Sequence, residues 1–218
     1  MFLIKGLNVL DLDVQRLIFE FVGGLGIFLF GIKYMGDGLQ KSAGDKLRDI
    51  LDRFTTNPFM GVLAGILVTI LLQTSSGTTA LTVGLVSAGF MTLRQAIGVI
   101  MGANIGTTVT AFIIGIKIDE YALPIIAAGA VLLFFFKKQK IQYFGQIVFG
   151  FGALFYGLKT MGDGLKPLRE VQAFADLTVS MSDNPILGVV VGTVFTVIVQ
   201  SSSATIGILQ ELYGQGAI

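Results

Sequence analysis

The chain of 218 residues contains no cysteine, no histidine and no tryptophan. Without cysteine it forms neither a disulfide nor a thiolate metal site. Without histidine it lacks the commonest zinc ligand and the commonest general base. Charge is scarce as well, at 13% of residues against roughly one quarter in soluble domains. No acid lies deep in an apolar run to act as base or nucleophile, which counts against a membrane enzyme. What is present is 53% hydrophobic residues, 18 Phe, 29 Gly and a mean hydropathy of +0.81, the composition of an all-α chain lying mostly in a bilayer. A net charge of +1 gives no electrostatic footprint for nucleic acid. The first 16 residues carry Asp11 and Asp13 and lack the basic start and small-residue cleavage site of a signal peptide. They read as an interfacial lead-in.

Charges punctuate the rest. Leu17 to Gly36 is long enough to span, and the "GDG" at 36–38 predicts its end. Apolar residues at helical spacing from Leu39 to Phe54, with seven charges on the other face, predict an amphipathic interfacial helix. No charge occurs from Phe54 to Leu93. Within that run, Phe59 to Leu72 is too short to cross, and "QTSSG" at 73–77 separates it from Thr78 to Phe90. The pair predicts a re-entrant hairpin with a polar tip near mid-membrane. Gln95 to Ile116 is uncharged and spans, with a break expected at "GANIGTT", 102–108; Tyr121 to Phe136 spans again before the basic cluster at 137–140.

The pattern then restarts. "GLGIFLFGIKYMGDGL" from Gly24 and "GFGALFYGLKTMGDGL" from Gly150 share nine of sixteen positions at an offset of 126. "NPFMGVLAGILVTILLQTSSGT" from Asn57 and "NPILGVVVGTVFTVIVQSSSAT" from Asn184 share ten of twenty-two at an offset of 127. Two blocks in one order indicate duplication. Three crossings counted between the copies would turn the second upside down. Inverted repeats with broken helices are the architecture of secondary transporters. The chain divides on this reading into the lead-in, a first repeat with its connecting helix (17–136) and an incomplete second repeat (137–218).

A break at mid-membrane exposes backbone N–H groups at one half-helix start and carbonyls at the other half-helix end. Ser75, Ser76 and Thr78, with Ser201, Ser202, Ser203 and Thr205, place hydroxyl donors beside those N–H groups, a cradle for an anion. The amide oxygens of Gln73 and Gln200, near the carbonyl ends, are hard ligands for a small cation. Gly61, Gly65, Gly188 and Gly192 have the small-xxx-small spacing of helix packing. Asp37 and Asp163 read as caps.

With these residues in view, the chain resembles the type II sodium-phosphate cotransporter family. That family carries Q-S-S-S in each of two inverted repeats, matched at Gln200 to Ser203 and nearly at Gln73 to Ser76, and a G-A-N-I-G-T motif matched at Gly102 to Thr107. The resemblance implies sodium-coupled symport of inorganic phosphate, held between the two hairpin tips near the midplane. It assigns phosphate to Ser75, Ser76, Thr78, Ser201, Ser202 and Ser203, and sodium to Gln73, Asn104, Thr107, Thr108, Gln200 and Thr205. It implies no organic cofactor, and a multi-pass protein of the bacterial inner membrane. Thr74 departs from the motif, keeping the hydroxyl. The second repeat stops at Ile218, aligned with Met91, before any counterpart of "GANIGTT". That predicts self-association or a segment beyond this sequence. The competing function is an anion channel or a non-transporting regulatory subunit, and a membrane enzyme is the third reading behind both.

Overall fold

The computed structural model describes residues 3–44, 50, 57–116, 118–167, 184–214 and 216, with side chains from Gln15 onward. Among the described residues every regular element is a helix. In chain order the helices are α1 (Leu3–Ala43), α2 (Pro58–Leu72), α3 (Ser75–Ser87), α4 (Leu93–Ile114), α5 (Ala122–Phe135), α6 (Gln139–Leu165), α7 (Pro185–Val199) and α8 (Ser202–Gly214), with a 3-10 turn at Asp119–Tyr121 before α5. Among the described residues, three stretches are long and apolar enough to cross a membrane: Gln15–Ala43, Leu93–Ile114 and Gln139–Leu165.

Local chemistry sets the ends of the short helices. Asn57 accepts a hydrogen bond from the N–H of Met60 at 2.9 Å, and Pro58 occupies the first turn, where a missing N–H does no harm. α7 begins the same way at Asn184 and Pro185. Thr92 and Gln95 form a reciprocal capping box at the start of α4.

The contacts divide the chain into two compact units. One comprises 31–117 and 123–152. Here α2 and α4 run side by side in the same direction at backbone contact. A Cβ on Gly98 would strike the Pro58 carbonyl, one on Gly102 the Val62 carbonyl, and one on Gly106 would lie 3.0 Å from the Ile66 carbonyl. Ala64, Val68, Ala96 and Val99 pack into the same core. In this unit α1 and α6 are antiparallel, with Gly150 against Met35 and Gly31, and Gly38 against Ile147. The buried Gln146 donates to the Tyr34 carbonyl at 3.1 Å and accepts from Lys41 at 3.3 Å.

The other unit comprises 1–30, 118–122 and 153–218. In it α1 and α6 again meet antiparallel, Gly24 against Met161 and Gly157, and Gly164 against Glu20 and Phe21. α8 packs on α7.

Three expectations change. The "GDG" at 36–38 does not end α1, nor does its copy at 162–164 end α6 short. These glycines make room instead: a Cβ on Gly36 would lie 3.1 Å from Cβ of Gln73, and one on Gly38 would lie 2.9 Å from Cγ1 of Ile147. Asp37 and Asp163 are therefore inside helices rather than caps, and Asp163 pairs with Lys166 at 2.6 Å. "GANIGTT" does not break α4, because its glycines seat the helix on α2 and its threonines bond their own turns. The expected crossing at 121–136 falls on α5, 14 residues long, or roughly 21 Å against the ~30 Å of hydrocarbon. Acids at 119 and 120 and lysines at 137 and 138 bound it. The stretch expected as a lead-in, 1–16, is helical from Leu3 and continuous with α1, and its interfacial placement remains an expectation. Of the amphipathic stretch 39–54, the part to Ala43 belongs to α1, and 45–49 with 51–56 lie outside the described residues.

Candidate functional site

Both polar tips are built on one unusual residue each. Gln73 and Gln200 are the non-glycine residues with positive φ among those described, both at 56°, the left-handed region that side chains seldom enter. Each ends a helix there, with its N–H bonded back to Thr69 or Thr196 at 2.7 Å. The next residue, Thr74 or Ser201, caps the following helix through its side-chain oxygen, accepting from Gly77 N–H at 3.3 Å or Ala204 N–H at 3.2 Å. A left-handed glutamine followed by a hydroxyl cap thus folds an apolar run back on itself in two residues.

A pair of threonines pins the arms together. Thr69 donates its hydroxyl proton to Thr78 at 2.8 Å, and Thr78 passes its own to the Thr74 carbonyl at 3.2 Å. In the second hairpin the hydroxyls of Thr196 and Thr205 lie 3.0 Å apart, and Thr205 donates to the Ser201 carbonyl at 3.1 Å. The hydrogen bonds recur at an offset of 127, as the sequence does.

The predicted anion donors separate into two groups. Ser75 and Ser76 stand in the first turn of α3, and Ser202 and Ser203 in the first turn of α8. Neither their N–H groups nor their hydroxyls bond another described residue. Ser201 uses its oxygen as a cap and keeps its proton. Thr78 leaves the donor set, being 0% exposed with its proton committed to Thr74.

The predicted cation ligands are scattered more widely. Gln73 donates Nε2 to the Ile70 carbonyl at 2.6 Å, which turns Oε1 away, and Oε1 accepts from Thr110 at 3.1 Å. Gln200 donates likewise to Val197 at 2.5 Å. Thr107, Thr108 and Thr205 give their protons to backbone carbonyls at 3.1, 2.7 and 3.1 Å, leaving oxygen lone pairs that suit a cation and not an anion. The structure does not bring Asn104 or Thr108 to the first tip. They are exposed, and at 100° per residue they lie on the face of α4 turned away from α2.

Thr110 is the residue the sequence reading missed. It is 3% exposed and is the side chain α4 delivers to Gln73. Its signal was available: Gly98, Gly102, Gly106 and Thr110 recur every fourth position, one continuous ridge.

Set beside known sequences, residues 27–163 and 157–218 each match the family model described as Na+/Pi-cotransporter. The chain belongs to that family. Among its relatives, "Uncharacterized protein YqeW" of Bacillus subtilis (strain 168) is 30% identical over 202 residues, covering 93% of this chain and 66% of the relative. "Putative inorganic phosphate export protein YjbB" of Escherichia coli (strain K12) is 23% identical over 201 residues, 92% of this chain and 37% of the relative. "Sodium-dependent phosphate transport protein 2A" of Rattus norvegicus is 38% identical over 110 residues, 50% of this chain and 14% of the relative. The chain therefore spans less than two thirds of the length of each. No solved structure matches.

Proposed function

We propose that this chain serves sodium-coupled symport of inorganic phosphate across a bacterial cell membrane, with each hairpin tip supplying phosphate donors. The observation that carries the reading is the pair of serines at each helix start, whose N–H and hydroxyl groups are left without partners inside apolar elements. Ser75, Ser76, Ser202 and Ser203 are the assigned phosphate donors, with Ser201 beside them. Gln73 and Gln200 are assigned to sodium, with Thr107 and Thr205 as the further oxygen ligands; Asn104 and Thr108, on the other face of α4, are left out of the set.

Charge gives the reason for coupling. Phosphate at neutral pH carries one to two negative charges, and neither hairpin holds a Lys or Arg. A helix N-terminus contributes only about half a positive charge. Burying an unpaired ion costs several kcal/mol, so a bound cation has to supply the remainder.

The hairpins are read as re-entrant because α2 and α7 are each 15 residues and α3 and α8 each 13, all below the ~20 needed to cross. Inversion of the repeats is supported by α1 and α6, which carry the two copies of the "GDG" block and run antiparallel wherever they touch; with α1 and α4 crossing, that orientation requires α5 to carry the chain across in spite of its 14 residues. The names of the rat and E. coli relatives mention sodium-dependent phosphate transport and phosphate export, which favours phosphate as the anion.

Radiolabelled phosphate uptake into proteoliposomes, with sodium or choline outside, tests the proposal. Saturable uptake that falls more than tenfold in choline, a coupling above ~1.4 kcal/mol, is expected. Equal flux in both media would leave a passive anion path in its place.

A further inference from the structure

α1 and α6 meet in both units by equivalent contacts, and one pair of equivalent positions differs in its chemistry. The two helices carry copies of one block at an offset of 126. Gly24 meets Met161 and Gly157 as Gly150 meets Met35 and Gly31, and in each case the glycine carbonyl lies 2.8 Å from where a Cβ would sit. A Cβ on Gly38 would lie 3.1 Å from the Ile147 nitrogen, and one on Gly164 would lie 2.9 Å from the nitrogen of Phe21, the equivalent of Ile147. Residue 146 on α6 and residue 20 on α1 therefore hold equivalent places. One is glutamine and the other is glutamate.

Gln146 shows what that place offers. It is 6% exposed, and its Nε2 donates to the Tyr34 carbonyl at 3.1 Å, one turn before Gly38 on the facing helix. The equivalent carbonyl on α6 is that of Thr160, one turn before Gly164. Cβ of Glu20 lies 2.9 Å from where a Cβ on Gly164 would sit. A carbonyl already bonded within its helix keeps a second lone pair, and an amide can donate to it at any pH. A carboxylate offers acceptors only, so Glu20 can make the same bond only when it is protonated.

The ionised form has another partner. Oε1 of Glu20 accepts from Nε of Arg16 at 2.7 Å, with the arginine side chain 75% exposed and that of Glu20 27% exposed. An i,i+4 pair so open to water holds a carboxylate weakly. Gln146 has Lys41 of the facing helix on its oxygen, whereas the α6 equivalent of Lys41 is Pro167, which brings no cation to Glu20. On α6 the charges nearest Gly164, Asp163 and Lys166, pair with each other at 2.6 Å. The carboxylate of Glu211 on α8 rests against Gly162.

We infer that Glu20 is a proton-binding site that latches α1 to α6. Ionised, it stays with Arg16 in the outer turn. On taking a proton from water it leaves Arg16, and the new O–H donates to the Thr160 carbonyl as the Gln146 amide donates to that of Tyr34. Loss of the proton to water opens the latch. Ionisable side chains inside membrane helices mark ion and proton pathways, and here the second copy of the block displays the bonded state with an amide in place of the protonated acid. The site uses none of the hydroxyl groups of the hairpin tips.

Glu20→Gln supplies the donor at every pH, so the test is the difference in unfolding temperature between that variant and the native chain in detergent. It is followed between about pH 4 and pH 8, either side of the ordinary carboxyl range. All other titrating groups are common to the two proteins and cancel in the difference. The latch of the native chain is made at low pH and lost as pH rises, so the two should coincide at the acid end. At the alkaline end Glu20→Gln should unfold about 2–4 °C higher, the shift for one hydrogen bond in a chain of this size. With Arg16→Gln in both proteins the curves should part at higher pH, because the carboxylate then lacks that partner. Infrared difference spectra between the two pH values should contain a protonated-carboxyl C=O component that Glu20→Gln lacks. A glutamine variant less stable than the native chain at the alkaline end would overturn the inference, since Glu20 would then be half of a surface ion pair. Curves that coincide at every pH would overturn it as well. Neither outcome depends on whether the chain carries phosphate.

Discussion

The methyl carbon of Thr74 lies 2.8 Å from where a Cβ on residue 77 would sit, and residue 77 is glycine. In the second hairpin the corresponding pair is Ser201 and Ala204. One has the methyl on the cap and none on the third helical residue, the other the reverse. The two pairs fill the same space from opposite sides. Gly77→Ala alone should therefore destabilise the chain by about 1–3 kcal/mol, the range for overpacking. Thr74→Ser alone should stay within about 0.5 kcal/mol, as expected where the cap is kept. Combined, the two should restore stability, a non-additivity read from thermal unfolding in detergent as a double-mutant cycle.

Thr110→Val removes the hydroxyl that holds the Gln73 amide and leaves a partly buried amide oxygen without its donor. A loss of roughly 1–3 kcal/mol of stability is expected, with rescue by Thr110→Ser. If Gln73 contributes to a sodium site, the valine variant should also need more sodium for half-maximal phosphate uptake, with the phosphate KM at saturating sodium little changed. A stability loss without any shift in sodium dependence would separate the structural role of Thr110 from the proposed ion site.

The serines and threonines of the tip should behave oppositely. Ser75→Ala, Ser76→Ala, Ser202→Ala and Ser203→Ala remove groups that bond no other described residue. Each should weaken phosphate binding by roughly 0.5–3 kcal/mol with little change in unfolding temperature. Thr78→Val should do the reverse, leaving Thr69 without its acceptor and lowering stability. Isothermal titration and thermal scans on the same preparations distinguish the two patterns.

Glycines should divide by what faces them. Gly65→Ala drives a methyl into the Val99 carbonyl and should separate α2 from α4, lowering stability by about 1–3 kcal/mol or more. Gly26→Ala meets nothing within 4 Å and should be neutral or stabilising by up to about 1 kcal/mol, because glycine is a poor helix former. Expression level and unfolding temperature of the two variants provide the comparison.

These glycines also mark where sequence reasoning reached and where it stopped. Asn57 with Pro58 announced the start of α2, and Gln73 with Thr74 announced its end, because capping chemistry is local and each signal lies in adjacent residues. "GDG" and "GANIGTT" were read as breaks by the rule for helices in water, where an unpacked glycine costs entropy and invites a turn. In α1, α4 and α6 the same residues lie where another backbone comes to contact. That need is set by a helix distant in sequence, and no local window contains it. Thr110 was overlooked for a related reason: motif reading stopped at Thr108, while the fourfold ridge that delivers a side chain to Gln73 runs one step further. Asn104 and Thr108 were placed beside Gln73 by the motif alone, and helical geometry turns them to the other face.

The seam around Gly24 and Gly157 has a mechanical consequence. There α1 and α6 touch through main-chain atoms, with Phe28 and Met161 buried at its margins. Such a seam has no side chains that can hop between rotamers and let one helix creep along the other. Relative sliding would have to jump a whole ridge of four residues, about 6 Å at 1.5 Å per residue, lifting buried groups out of contact on the way. The joint thus behaves as a ratchet tooth rather than a bearing, and this stretch of α1 and α6 would travel through any working cycle as one strut.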